Sequence, residues 1–311
     1  MLRPSFLCIS RLIGTRCGGL ATAWIHAGGK PAERLGTILP VRALQNDLVY
    51  DVGMNDGSDT GYYLNQGFRV VAIDADPAMI ENGRQKFARE VAEERLTLLN
   101  VGVSSERGTA TFWICEDKAE WNSFDRARAS HGGRPHHSVE IPTIPFGEVL
   151  EQYGVPYFLK IDIEGHDHYC VADLQGGPIP TFLSTEVQAV PDGGLGLLEQ
   201  VGYQRFKLIR QKDWCAARKR GTLQHLLTSA AYGRLRPLRL AWLTRRFTDR
   251  YAIESLRYRF EEGSSGPWGK DTPGPWLNPA QARATLLAER ERVRRSGIDP
   301  IHMWWDWHAT L

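Results

Sequence analysis

The chain has 311 residues, of which 42% are hydrophobic and 24% charged, and a formal net charge of +2. These proportions exclude collagenous, low-complexity and disulfide-scaffold classes and describe a globular chain long enough to bury a large core. Five scattered cysteines (Cys8, Cys17, Cys115, Cys170, Cys215), none in a C-x-x-C pair, argue against a disulfide framework or a zinc site and for a reducing compartment.

Residues 1–32 contain Arg3, Arg11, Arg16 and Lys30 and no acid before Glu33. Residues 1–45 therefore read as a basic tail or lead-in, with a mitochondrial presequence and an overlong gene start as the competing readings. No segment approaches the ~20 continuous apolar residues of a membrane span.

From about residue 47 to 215, short apolar runs rich in β-branched residues alternate with helical patterns. Asp47–Gly53 and Arg69–Asp74 read as strands, Pro77–Glu94 as one helix with Met79, Ile80, Phe87 and Val91 on a face, and Leu96–Gly102 as a third strand. Thr109–Ile114 is an extra extended segment, and the histidines His131, His136 and His137 fall in what reads as a solvated loop. Phe146–Tyr153 follows as a helix, Tyr157–Ile163 and Thr181–Val187 as strands, Gly193–Val201 as a helix and Tyr203–Ile209 as a late strand. Alternating strands and helices imply a doubly wound α/β domain over residues 46–215, a mainly parallel sheet with helices on both faces.

Residues 216–311 have a different character and read as a C-terminal, Arg-rich and partly helical extension that covers the acceptor side. Between Arg205 and Arg259 there are fifteen Lys and Arg against Asp213, Asp249 and Glu254, so the remainder of the chain is net acidic. Such asymmetry predicts a basic face for an anionic or lipid-linked acceptor, or a solvated face balanced elsewhere. Residues 261–279 have loop composition, residues 279–296 form a charged helix, and the end carries His302, Trp304, Trp305, Asp306, Trp307 and His308.

The chemistry is concentrated after the first strand. Asp51-Val52-Gly53-Met54-Asn55-Asp56-Gly57 supplies tight glycine turns that let backbone N–H groups approach a nucleotide-type ligand. Asp74 ends the second strand, where a carboxylate can accept both hydroxyls of a ribose. A dinucleotide site would show G-x-G-x-x-G to seat a pyrophosphate. The acid Asp51 instead suits the positive methionine end of S-adenosylmethionine (SAM) and would repel a pyrophosphate, which also disfavours an NAD-dependent sugar-modifying enzyme.

With these pieces in view, the chain resembles the FkbM family of SAM-dependent methyltransferases, which mostly act on hydroxyl groups. The resemblance is carried by D-V-G-M-N-D-G (51–57), V-A-I-D-A-D-P (71–77), N-V-G-V-S (100–104), F-L-K-I-D-I-E-G-H-D (158–167), Thr185-Glu186 and W-D-W-H-A (305–309). It departs from the family at Asp74, where Glu is usual, and at His166, where Ala is common. The resemblance implies a class I, Rossmann-like methyltransferase fold and SAM as cofactor. It further implies that Asp51, Gly53, Asn55 and Gly57 line the methionine side, that Asp74 binds the ribose, and that Asp76 and the Asn100–Gly102 loop lie near the adenine.

On the acceptor side, Lys160, Asp162, Glu164 and His166 cluster at the C-terminal end of one strand, where ligands of open α/β sheets bind. Strand alternation puts Lys160, Asp162 and Glu164 on one face, and Glu186 ends the next strand. They read either as the acceptor site or as a structural lysine–carboxylate pair holding the loop. A divalent metal on Asp162, Glu164 and Glu186 is a less favoured alternative. His308, oriented by Asp306, is a second candidate base, and the tail tryptophans suit either a sugar platform or core packing. The sequence thus predicts a SAM-dependent O-methyltransferase acting on a saccharide or secondary metabolite in the cytoplasm or at a membrane surface. It recognises no nucleic acid and holds no metal. The competing reading is an inactive SAM-fold scaffold.

Overall fold

The computed structural model describes residues 42–211, 215–217, 258, 260, 264–295, 297 and 304–311. Most of the basic stretch, His302 and the N-terminal tail lie outside the described residues. The strands are β1 (Leu44–Val52), β2 (Arg69–Asp74), β3 (Leu96–Asn100), β4 (Gly102–Val103), β5 (Gly108–Cys115), β6 (His136–Ile144), β7 (Val155–Ile161), β8 (Phe182–Glu186), β9 (Arg205–Arg210), β10 (Cys215–Ala216) and β11 (Trp305–Thr310). The helices are α1 (Ser58–Asn65), α2 (Pro77–Lys86), α3 (Ala88–Ala92), α4 (Arg126–Ser130), α5 (Phe146–Tyr153), α6 (Asp167–Ala172), α7 (Leu195–Val201) and α8 (Pro279–Arg295). None of them is long and apolar enough to cross a membrane.

The main sheet runs β10-β9-β11-β8-β7-β1-β2-β3. The pairs from β8 through β7, β1 and β2 to β3 are parallel, while β11 lies antiparallel to both β8 and β9. This is the doubly wound α/β fold that the alternating pattern implied. One face is closed by a core around Tyr50, Phe146, Leu159, Phe206 and Trp307, the other by a core around Val49, Tyr62, Tyr63, Phe158 and Phe260. Both faces are covered, so Leu48–Val52 of β1 and nearly all of β7 are buried, apolar apart from Asp51 and Lys160.

Three expectations are revised. The 77–94 helix is two, because Phe87 leaves helical geometry at φ −116°, ψ 31° and turns inward against Gly57 and Gly61. His136 and His137 open a nine-residue strand, β6, which pairs antiparallel with β5; both strands belong to a small second sheet, β4-β6-β5. The residue-215 boundary does not separate an extension from the sheet, because β11 threads between β8 and β9. Its alternation explains the placement: Trp305, Trp307 and Ala309 join one core, while Asp306, His308 and Thr310 occupy the other face, all buried.

Candidate active site

A cleft of about 720 Å³ opens at the C-terminal ends of β1, β2, β7 and β8. Its floor begins with the turn after β1. Gly53 adopts φ +83°, and a Cβ there would lie 1.9 Å from the Asp162 carbonyl oxygen, so only glycine lets the turn pass the end of β7. The Gly53 and Met54 N–H groups donate to the Ile73 carbonyl at 2.8 and 3.1 Å, and the Asp162 N–H donates to Val52 at 2.9 Å. The loop is thereby pinned between β2 and β7.

Asp74, at the end of β2, is half-buried on the cleft. Its Oδ2 accepts the Asn55 N–H and its Oδ1 the Asp76 N–H, each at 2.8 Å. These bonds fix the carboxylate and leave lone pairs free on both oxygens. Burial outweighs the two N–H donors and raises its pKa to about 6.

Lys160 and Asp51 stand side by side in the β7–β1 register and are 3% and 0% exposed. Lys160 Nζ lies 3.0 Å from Asp51 Oδ1, donates to the Gly53 carbonyl at 2.5 Å, and approaches Asp59 at 3.9 Å. Thr60 donates to the second Asp51 oxygen at 2.6 Å. Burial alone would discharge the lysine, but Asp51, Asp162 and Asp59 outweigh it and hold its pKa above the usual value. Lys160 reaches the cleft, whereas Asp51 lies beneath its floor. Asp59 is itself capped by the Ser264 hydroxyl and by the Ser265 N–H at 2.9 Å.

Asp162, Glu164 and Glu186 form one acidic wall. Burial raises Asp162 to about 6, and burial followed by mutual repulsion raises Glu164 and Glu186. Glu164 is bound at 3.2 Å by Arg128 and sits at φ +49°, a strained conformation for a glutamate. Among the described residues no cluster of His, Cys, Asp or Glu is arranged to hold a metal ion.

Several residues marked by the sequence stand elsewhere. Gly57 caps α1 and faces Phe87. Asp76 caps α2 through the Ala78 N–H at 2.8 Å, and its other oxygen accepts the Asn122 amide at 2.9 Å. Asn100 uses its amide to hold the Asp74 and Ala75 carbonyls, while Gly102 does line the cleft. His166 bonds the Val103 carbonyl at 3.0 Å and stacks on Phe124, behind the cleft wall. His308 is 2% exposed, and neither ring nitrogen has a hydrogen-bond partner. Burial, followed by the charge of Lys207, pushes it down to about 3, so it is a neutral imidazole.

Other cleft residues, Trp304 apart, were not marked by the sequence. Phe112 and Phe124, in edge contact at 5.1 Å, combine with Val101, Gly102 and Asn122 in an apolar slot beside Asp74. Gln211, Ser264 and Trp304 reach the cleft from distant segments, Trp304 at 49% exposure. Only their position in the folded sheet brings them together; no local spacing announces it.

Among curated proteins none matches the chain. Residues 51–200 match the family model of the methyltransferase FkbM domain. That stretch contains the β1 turn, Asp74, the 100–104 loop and the acidic wall through Glu186. Residues 51–200 thus carry a methyltransferase FkbM domain on a class I methyltransferase fold, which supports methyl transfer as the class of chemistry.

Proposed function

We propose that this protein is a SAM-dependent O-methyltransferase whose acceptor is a hydroxyl of a saccharide or secondary metabolite. The observation that carries the reading is that the Gly53–Asp59 turn, Asp74 and the Asp162–Glu164–Glu186 wall open into one cleft. Its volume of about 720 Å³ is in the range of small-ligand sites. The donor set fits the cofactor. Asp74 retains acceptor capacity for a ribose diol, Phe112 and Phe124 offer aromatic surface to an adenine, and the acids suit a cationic sulfonium and ammonium. SAM, when bound, supplies an electrophilic methyl group.

The residues of the chain then have separable tasks. Asp74 and Asn55 orient the cofactor. Lys160 and Asp51 hold the turn against β7. Glu186, with Asp162 beside it, accepts the proton that the acceptor hydroxyl loses; burial and then Glu164 raise its carboxyl to about 10, so it is a strong base that acts once ionised, in alkaline solution. The acids on the cleft, Asp56, Asp59, Asp74, Glu120, Asp162, Glu164 and Glu186, face only Lys118 and Lys160 among the described lining residues. This balance favours an uncharged acceptor over an anionic one, and the exposed Trp304 beside Glu186 suits the face of a sugar ring.

Titration calorimetry with SAM and with NAD tests the reading. SAM should bind and NAD should not, and incubation with a saccharide pool should give products heavier by one methylene. Absence of SAM binding would overturn it. SAM binding without turnover on any acceptor pool would support the scaffold instead.

A further inference from the structure

Asp306 faces Glu186 directly across the antiparallel β11–β8 pair. Facing residues in such a pair share one side of the sheet, with Cβ atoms about 5 Å apart. Glu186 lines the cleft, whereas Asp306 is 3% exposed behind it. Gln211, also on the cleft, donates from Nε2 to Asp306 Oδ1 at 2.8 Å. Asp306 Oδ2 is fully enclosed and has no hydrogen-bond partner.

A buried carboxyl oxygen without a partner is costly unless it carries a proton and gives it away. Two facing carboxyls at this spacing do not both ionise readily. The cations nearby are committed: Lys160 to Asp51 and the Gly53 carbonyl, Arg128 to Glu164. The remaining groups around the pair, Asp162, Glu164 and Asp167, are acids and oppose a second charge.

We propose that Asp306 is a positioning residue. Clamped by Gln211, it keeps a proton on Oδ2 and presents it to Glu186, so that the pair bears one negative charge, carried by Glu186 toward the acceptor. The inference rests on the reading of Glu186 as the proton acceptor. When the acceptor hydroxyl gives its proton to Glu186, the pair passes from one proton to two, and no charge is moved into the core. Burial, and then repulsion from Asp162, raise Asp306 well above an ordinary carboxyl, in the direction this requires; burial and then Glu164 raise Glu186 to about 10, so the singly charged pair forms in alkaline solution. Gln211 supplies the directional element: its amide occupies Oδ1 and leaves Oδ2 as the only oxygen free to carry the proton.

The test is infrared difference spectroscopy on the full chain between the wild type and Asp306→Asn at pH 10, with a ¹³C-aspartate-labelled sample to separate aspartyl from glutamyl bands. The wild type should show a protonated-carboxyl carbonyl band that shifts with the aspartate label and is lost in Asp306→Asn. Glu186→Gln, which keeps the side-chain size, should retain that band at a shifted frequency, because the partner changes from a carboxylate to an amide. Absence of an aspartyl band at pH 10, or a band indifferent to Glu186→Gln, would overturn the proposal. SAM titration of the same samples separates the two readings: SAM binding with no band defeats the pair alone, and a band without SAM binding defeats the proposed function alone.

Discussion

His308→Leu should change how stability depends on pH, with a sign and size fixed by burial. The imidazole is 2% exposed with no hydrogen-bond partner, and its folded pKa is about 3 against an ordinary 6.5. Below pH 6.5 the unfolded chain takes up a proton here that the folded chain refuses, so protonation favours unfolding. Above pH 7 the ring is neutral in both states and contributes almost nothing. Linkage makes the cost about 0.7 kcal/mol between pH 7 and 6, and about 2 kcal/mol between pH 7 and 5. Buried acids with raised pKa values, Asp162 and Asp74 at about 6, act in the opposite direction, because the folded chain binds their protons first. They are present in both proteins and cancel in the comparison. Urea unfolding of wild type and His308→Leu at pH 7, 6 and 5 reads the difference. The variant should gain about 2 kcal/mol on the wild type as pH falls from 7 to 5. A difference that stays constant across that range would mean that His308 titrates normally in the fold, and would restore it as a candidate base.

Asp74→Ala should weaken SAM binding ten- to a hundredfold by calorimetry, the value of about 1.5–3 kcal/mol for hydrogen bonds to a charged group. Wild-type affinity should also fall as pH drops below about 6, where Asp74 gains a proton, and the variant should lose that dependence; equal affinity in both proteins would remove Asp74 from the site. Lys160→Met should destabilise by about 3–5 kcal/mol in denaturant, since Asp51 is left charged and unpaired, and adding Asp51→Asn should recover more than half. Gly53→Ala should cost about 3 kcal/mol or more through overpacking and a positive φ. Gly67→Ala is the control: at φ +91°, with nothing within 4 Å of its Cβ, it should cost about 1 kcal/mol. Similar losses at both glycines would refute the claim that the Asp162 carbonyl excludes a Cβ at residue 53.

The fold was legible because a sheet covered on both faces demands mainly apolar strand centres, and β1, β2 and β7 supply them around Asp51 and Lys160. β6 escaped notice because its exposed positions, His137, Ser138, Glu140 and Pro142, read as loop, while its buried Ile141 and Ile144 lie only toward its C-terminal end. β11 was recognised only as an aromatic tail, since a six-residue strand far from its partners has no local mark of the sheet that receives it. The cofactor loop was legible as a loop but not residue by residue. Asp51, Asp76, Asn100 and Gly57 are as much part of its signature as Asp74, yet they bind Lys160 or Thr60, cap α2, brace carbonyls or turn the chain. A spacing pattern records which residues a loop needs, not which of them face the ligand. The slot of Phe112 and Phe124 and the reach of Gln211 and Trp304 depend on segments far apart in sequence, and no window of the chain contains them together.

The ion pair of Lys160 and Asp51 explains why donor and acceptor halves of the cleft belong to a single signature. Lys160 projects from the strand that ends in the acidic wall, and its ammonium holds the Gly53 carbonyl in the cofactor turn at 2.5 Å. The Asp162 N–H holds Val52 at 2.9 Å, and Gly53 passes so near the Asp162 carbonyl that no side chain fits between them. The two halves are therefore fixed to each other by backbone and buried charge rather than by flexible surface groups. In-line transfer is sensitive to small displacements of the reacting atoms, so such a connection acts on rate through geometry. Under the proposed function the buried lysine need not touch either substrate to matter: by joining the two loops it would set the distance that the methyl group must cross.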